Sequence, residues 1–225
     1  MGERALLRIG GGCGLAVVIL EGVGFAWVAG ARLFDVFHLY PSEALPLISQ
    51  HARELQVLLS GEILGAVIVI PFWLALYQAL KESKAAYALL GASAGILSSV
   101  VEVAMTLPRA SMLPVLARAY PSADEFGRAA LYALFYYAVS STGSGLMTAL
   151  RIPRIGFTSL ALPRGRKFTR AVAWLGIATA ALTIIEVGFW IIRGSPNDPL
   201  LVGVIAAALG RVWVILASVW LIRFE

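Results

Sequence analysis

The stretch "ELQVLLSGEILGAVIVIPFWLALYQAL", residues 54–80, is long and apolar enough to cross a bilayer as a single helix. A membrane-spanning helix needs about 20 apolar residues, each adding about 1.5 Å of length. Glu62 lies well inside the apolar run, and Pro71 predicts a kink closer to its end. The stretch therefore predicts a transmembrane α-helix that carries a charged group within the membrane.

Further apolar runs of similar length occupy most of the remaining chain. They span about 8–30, 85–107, 127–150, 170–193 and 199–222. The composition agrees, because 60% of the residues are hydrophobic and 14% are charged, whereas a soluble domain carries about a quarter charged residues. We therefore expect an all-α polytopic membrane protein, in which residues 1–225 form one domain, a bundle of six transmembrane helices.

The loops between these runs alternate in charge. One side collects the N-terminus, the loops after the second and fourth spans, and the C-terminus. Its basic residues are Arg4, Arg8, Lys81, Lys84, Arg151, Arg154, Arg164, Arg166, Lys167, Arg170 and Arg223. The positive-inside rule then predicts that both termini are cytoplasmic and that the protein is a multi-pass protein of the cell membrane. Because topology explains these basic residues, we expect contact with the lipid bilayer and none with nucleic acid.

Several ionisable residues lie within the predicted spans, where charge is rare and usually functional. They are the glutamates Glu21, Glu62, Glu102 and Glu186 and one base, Arg211. Counting the helical rise from the span ends places all four glutamates in the outer half of the membrane. A long guanidinium at Arg211 should reach Glu21 from below.

Two of the glutamates belong to a repeated pattern, "VVEVAMTLPR" at 100–109 and "IIEVGFWIIR" at 184–193. The arginine follows the glutamate by nearly two helical turns, so Arg109 and Arg193 each share a helix face with their glutamate. Arg32 follows Glu21 by eleven residues, close to three turns, and shares its face if the first helix extends that far. We expect Arg32, Arg109 and Arg193 to lie at the outer mouth of the bundle.

Charge counting suggests a function for this cluster. A charged group at the bilayer centre costs about 2.5–3.5 kcal/mol even on the mildest scale. Four acids and one arginine would leave three negative charges uncompensated, which favours protonation, water or a bound cation. Our leading hypothesis is an outward-facing carboxylate cluster that binds a cation, a proton or a cationic solute, for transport or for ligand binding.

Other interpretations stay open. The glutamates could be neutral structural acids hydrogen-bonded between helices, in an accessory or assembly subunit with membrane-protein partners or in a homo-oligomer. A membrane-embedded enzyme that modifies a lipid or isoprenoid could use paired carboxylates as acid and base. We favour the enzyme least, because no second chemical group accompanies the acids at a recognisable spacing. No motif identifies a cofactor or a metal.

Two long segments resemble a known family. They are "ELQVLLSGEILGAVIVIPFWLALYQALKESKAAYALLGASAGIL", residues 54–97, and "IPRIGFTSLALPRGRKFTRAVAWLGIATAALTII", residues 152–185. Their helix order, apolar character and the "LALYQAL" at 74–80 are similar to the prokaryotic six-helix membrane proteins of domain of unknown function 4386. The basic stretch in the fourth loop departs from that pattern. The resemblance implies a six-helix membrane fold and assigns no activity or functional residue.

Overall fold

The computed structural model describes residues 2–30, 41–135, 143–193 and 201–224. Within these ranges all regular structure is helical, so the all-α class is confirmed. The α-helices are α1 (Glu3–Gly30), α2 (Pro41–Gln50), α3 (Ala52–Ile68), α4 (Ile70–Ala119), α5 (Glu125–Phe135), α6 (Gly143–Ala161), α7 (Lys167–Arg193) and α8 (Leu201–Ile222). A short 3-10 helix, Tyr120–Ser122, follows α4.

In the part of the chain that the structure describes, four helical stretches are long and apolar enough to cross a membrane, as expected of a membrane protein. They are Glu3–Gly24, Ala52–Ser122, Lys167–Phe189 and Leu201–Ile222. The second contains 71 residues, far more than one crossing needs. Its length is explained by a turn inside α4.

The turn in α4 lies at Lys84, whose backbone angles, φ −152° and ψ 71°, are not helical. A Cβ atom added to Gly95 would overlap the indole ring of Trp73. Residues so far apart in sequence can touch only if the chain folds back between them. We therefore treat α4 as two antiparallel helices, α4a (residues 70–83) and α4b (residues 85–119).

Helix α3 and helix α4a form one nearly continuous helix. Helix α3 ends at Ile68 and α4 begins at Ile70, while Val69 between them keeps helical backbone angles. Pro71 lies in the first turn of α4, where its missing N–H costs nothing. The interruption at Val69 thus lies two residues before Pro71, the proline at which the sequence predicts a kink.

The long helices form a ring in which neighbours in sequence are neighbours in space. Helix α1 packs on α3 and α4, α4 on α6, α6 on α7, α7 on α8, and α8 closes the ring on α1. Gln78 donates to Glu3 at 2.9 Å, and Lys84 donates to the carbonyl of Leu160 at 2.9 Å. The start of α1, the Lys84 turn and the end of α6 therefore lie at one end of the bundle, and α8 ends there too, beside Gly11 of α1. We call this the terminal end and the opposite end the far end.

Three aromatic residues fill the middle of the ring near the terminal end. Trp73 and Trp213 stack with ring centroids 6.3 Å apart, and Phe72 meets Trp73 edge-on at 5.1 Å. All three are buried. Phe72 and Trp73 come from α4a and Trp213 from α8, so they connect two helices that flank α1 in the ring, and we call this group the aromatic plug.

Small residues on the surrounding helices let the plug pack closely. A Cβ atom at Gly14 of α1 would overlap Phe72, and one at Gly176 of α7 would overlap Ser159 and crowd Trp213. Together with Gly95 of α4b, these glycines bring three helices against the aromatic rings. The terminal half of the bundle is consequently closed.

A second apolar cluster lies at the far end, where α2 packs beside the antiparallel pair α3 and α4b. It contains Ala44, Leu45, Ile48, Leu55, Leu59, Leu113, Leu116 and Ala117. This cluster sets the register between α3 and α4b, so it also sets which side chains meet nearer the middle of the bundle.

Helix α6 differs from the expectation drawn from the sequence. It runs to Ala161, past residue 150, where we expected the fourth span to end. Arg151 and Arg154 therefore lie inside a helix of the bundle rather than in a basic loop. Helix α4b likewise continues to Ala119 through Pro108 and Pro114, past the expected end of the third span.

Candidate functional site

The four glutamates singled out in the sequence lie close to four arginines. We call the eight residues the charged layer: Glu21, Glu62, Glu102, Glu186, Arg109, Arg151, Arg154 and Arg211. Each glutamate can be matched with a different arginine. The pairs are Glu21 with Arg211, Glu62 with Arg109, Glu102 with Arg154, and Glu186 with Arg151.

Glu21 and Arg211 form a direct ion pair between α1 and α8. The Arg211 Nε atom donates to Glu21 Oε2 at 3.0 Å, so the contact expected from their depths in the membrane is present. The two side chains keep 41% and 45% of their accessible surface. Glu21 also interacts electrostatically with charged groups on α3, α4b and α6, which places it within electrostatic range of the rest of the charged layer.

Glu186 and Arg151 form the second direct pair, between α7 and α6. Arg151 Nη1 lies 3.5 Å from Glu186 Oε2. Glu186 is only 7% exposed, and a Cβ atom at Gly203 of α8 would overlap its carboxylate. The glycine makes room for the acid, so Glu186 is enclosed by α6, α7 and α8.

Arg154 is held beside Glu102 without a direct contact. Its Nη1 atom donates to Ser98 Oγ at 2.8 Å, and Ser98 precedes Glu102 by one turn on the same face of α4b. The guanidinium and the carboxylate attract each other electrostatically. The Nε atom of Arg154 is buried and has no hydrogen-bond partner in the described part of the chain.

Arg109 and Glu62 have a similar relation across α3 and α4b. Leu59 and Leu113 share the far-end apolar cluster, and one turn further toward the terminal end these antiparallel helices carry Glu62 and Arg109. The two groups attract each other. The Nε atom of Arg109 is also buried and lacks a hydrogen-bond partner among the residues that the structure describes.

The carboxylates of Glu62 and Glu102 make no hydrogen bond and no ion pair within 4.0 Å to any residue of the described ranges. We call Glu62, Glu102, Arg109 and Arg154 the open quartet. It therefore contains two unmet acceptors and two unmet donors on α3, α4b and α6. Arrangements of this kind can hold a small charged molecule between the groups.

Prolines add acceptors next to the open quartet. Pro108 directly precedes Arg109 in α4b, and Pro153 directly precedes Arg154 in α6. A proline inside a helix has no N–H for the carbonyl four residues earlier. The carbonyl oxygens of residues 104 and 149 thus lose their helical donor and become available to other groups near the layer.

The charge imbalance inferred from the sequence was wrong. Arg109 belongs to the layer as the partner of Glu62, and Arg151 and Arg154, assigned to a loop, enter it from α6. Four arginines balance four glutamates, so the layer has a formal charge of zero. A bound cation is therefore not needed to neutralise the acids, although cation binding stays a hypothesis.

The sequence contained a signal for the two missed arginines. In "LRIPRIGFTSL", residues 150–160, the arginines are three apart and the intervening residues are apolar. That spacing places both guanidinium groups on one face of a helix. Glu186 was expected to share a helix face with Arg193. The side chain of Arg193 and the whole of Arg32 lie outside the described residues.

Two further observations concern metal ligands and a cavity near the site. Within the described ranges, no group of three or more His, Cys, Asp and Glu residues could hold a metal ion. A cavity of about 420 Å³ opens at the far end between α2, α3 and α4b. Its lining includes Gln56 on α3 and Ala110, the residue after Arg109. None of the four residues of the open quartet is among its lining residues, so this cavity lies to the far-end side of the quartet and not within it.

The family model described as domain of unknown function (DUF4386) matches residues 9–224. The chain belongs to this family, and the resemblance seen in the sequence is confirmed. No curated protein and no solved structure matches the chain. The description of the family gives no activity, so a function has to be argued from the charged layer.

Proposed function

We propose that this family member is a six-span protein of the prokaryotic cell membrane that binds a small solute carrying a positive charge and moves it across the bilayer. The binding groups would be the carboxylates of Glu62 and Glu102. The observation that carries the proposal is that these two acids, inside a membrane bundle, have no hydrogen bond or ion pair among the described residues.

The sixth span would be α6. Hydropathy alone does not identify it, because Arg151 and Arg154 interrupt its apolar character. Helix α6 nevertheless packs between α4 and α7 in the ring, and both arginines are partnered by residues of those helices. With its polar face covered in this way, α6 can cross the membrane beside α1, the continuous pair α3 and α4a, α4b, α7 and α8.

The proposed orientation has the terminal end in the cytoplasm. Without Arg151 and Arg154, this end still carries basic residues at both chain termini, at the Lys84 turn and between α6 and α7, as the positive-inside rule requires. The aromatic plug then closes the cytoplasmic side, while the charged layer faces outward. A solute would reach the layer from outside, and the plug would have to part for release.

Proton release from the two acids could be coupled to solute binding. A carboxylate without a partner inside a membrane is most stable when it is neutral or paired with a cation. Glu62 and Glu102 could therefore exchange a proton for the positive group of the solute. Binding and proton release would then be linked at the same oxygen atoms.

Thermal stability in detergent tests the proposal. We expect at least one cation from a panel of Na⁺, K⁺, Mg²⁺, Ca²⁺ and ethylammonium to raise the melting temperature of the wild type, because a ligand that binds only the folded state stabilises it. Glu62→Gln and Glu102→Gln should abolish that rise. Glu54→Gln, on α3 but outside the layer, is the matched control and should retain it.

Two results would count against the proposal. One is that no cation in the panel stabilises the wild type. The other is that Glu102→Gln keeps the full effect of the cation, which would place the binding site elsewhere. If the glutamine variants are also as stable as the wild type, the two acids are neutral structural groups.

A further inference from the structure

We propose that the solute is a zwitterion, with an ammonium group bound at Glu102 and a carboxylate or phosphate bound at Arg109. The inference rests on the proposed function and names the chemical class of its solute. It follows from the N–H donors of Arg109 and Arg154, because a simple cation would form no hydrogen bond with them.

The arginines of the open quartet are incompletely hydrogen-bonded. The Nε atoms of Arg109 and Arg154 are both buried without a hydrogen-bond partner among the described residues. Leaving such a donor unmet destabilises the protein, and more so when the group is charged. Arginine presents its donors as a planar fork that matches a carboxylate or a phosphate. An anionic group is therefore the expected partner.

The other half of the charged layer provides an internal comparison. Arg211 and Glu21 close to 3.0 Å, and Arg151 and Glu186 approach to 3.5 Å. Glu62 with Arg109 and Glu102 with Arg154 attract each other, yet neither pair comes within 4.0 Å. The same bundle thus holds two closed pairs and two open ones. A charged group that enters between the partners of an open pair breaks no direct ion pair, whereas in a closed pair it would have to displace one.

Charge balance favours a zwitterion over either simple ion. With all four acids ionised the layer is formally neutral, so a cation that displaces no proton would leave it with one excess positive charge and an anion would leave one excess negative charge. Excess charge inside a bilayer costs several kcal/mol. A molecule that carries both charges satisfies the acceptors and the donors and keeps the layer neutral.

The geometry also limits the size of the solute. Glu102 and Arg109 are seven residues apart on α4b, which is about 10 Å along the helix. Glu62 faces Arg109 from α3, and Arg154 faces Glu102 from α6. A compact molecule whose ammonium and acid groups are a few bonds apart has about the length needed to reach from Glu102 to Arg109. Amino acids and aminoalkyl phosphates, free or as a lipid headgroup, share this chemistry.

Matched probes separate the two charges. The first series is β-alanine, β-alaninamide and propionate, which present both charges, the cation alone and the anion alone. The second is 2-aminoethyl phosphate with ethanolamine and ethyl phosphate. We expect a zwitterion in at least one series to raise the melting temperature in detergent by more than the sum of its two single-charge analogues. Nanodiscs containing phosphatidylethanolamine, compared with phosphatidylglycerol, test the headgroup source.

Variants of the charged residues test where the zwitterion binds. Glu102→Gln and Arg109→Gln should each abolish the extra stabilisation by the zwitterion, and Arg109→Gln is the safer arginine variant because Arg109 makes no hydrogen bond within the described ranges. The double variant Glu21→Gln/Arg211→Gln removes a closed pair and should keep the response. If Arg109→Gln retains the full response to the zwitterion, the anionic half of the proposed site is wrong.

The outcomes also distinguish this inference from the proposed function. If the cation analogues stabilise the protein as well as the zwitterions do, the zwitterion is overturned while the proposed function stands. If only the anions stabilise it, both are overturned. If no probe and neither lipid has an effect, the zwitterion is overturned, and the cation panel decides the proposed function separately. Stabilisation by phosphatidylethanolamine alone supports the chemistry and assigns it to a lipid headgroup.

Discussion

The two halves of this bundle fill their middle in opposite ways. Near the terminal end, Phe72, Trp73 and Trp213 pack against glycines and close the ring. Nearer the far end, the same helices carry the charged layer, in which two ion pairs are closed and two are open. Apolar side chains of similar size often stabilise a fold as well as a buried ion pair does. The contrast agrees with the proposal, in which the aromatic plug stabilises the bundle and the charged layer binds the solute.

Truncation of the plug should have the largest effect on stability. Trp213→Ala removes a fully buried indole, and we expect it to lower the free energy of unfolding by about 3–5 kcal/mol. Unfolding by dodecyl sulfate, followed by circular dichroism, measures the change. Trp174→Ala is the matched control, because Trp174 of α7 is 57% exposed. Equal losses in the two variants would mean that the plug is not the core of the terminal half.

Breaking a closed ion pair should cost nearly as much. Glu186→Gln leaves Arg151 without its carboxylate, and we expect a loss of about 3 kcal/mol in the same assay. The double variant Arg151→Met/Glu186→Met removes both charges and should recover most of that stability. If the double variant is as unstable as the single one, the acid contributes through packing against Gly203 rather than through its charge.

Crowding the plug should have an intermediate effect. The added Cβ atom of Gly95→Ala would overlap the Trp73 ring, and we expect a loss of about 1–3 kcal/mol. Gly61→Ala on α3 is the control, since a Cβ atom there meets nothing within 4 Å. This control should be neutral or stabilising, because alanine favours a helix over glycine. A neutral Gly95→Ala would indicate that the terminal half is loosely packed.

The smallest effect should come from the half-exposed pair. If water reaches the charged layer, Glu21→Gln should cost about 1 kcal/mol or less, as for other exposed ion pairs. If the pair faces lipid, the isolated Arg211 would be costly and the loss would rise to several kcal/mol. Comparison of Glu21→Gln with Glu186→Gln in one assay therefore reports whether the layer is wet.

Much of the fold could be predicted from the sequence, because apolar runs of about 20 residues have few alternatives to membrane helices. The contact between Glu21 and Arg211 was also predictable, since helical rise fixes the depth of each residue. The end of α6 was not, because Arg151 and Arg154 resemble loop residues until partners on α4b and α7 are known.

The other errors and omissions share that cause. The sequence showed that Arg109 and Glu102 lie on one face of a helix, yet the partner of Arg109 is Glu62 on α3. The aromatic plug was not predicted either, because helices that are apolar all round do not reveal which side chains face the ring. Both features depend on the packing between helices, which a single sequence does not encode locally.

Thiol accessibility is the most direct test of the contrast between a closed half and an open half. Cysteines would replace Glu62 in the charged layer and Ala217 beside the plug, in a Cys13→Ser background, and would be exposed to a membrane-impermeant maleimide in vesicles of either orientation. We expect labelling of Glu62→Cys only from the side opposite the termini, and no labelling of Ala217→Cys from either side. Labelling of Glu62→Cys from the terminal side, or from neither side, would contradict an outward-facing charged layer.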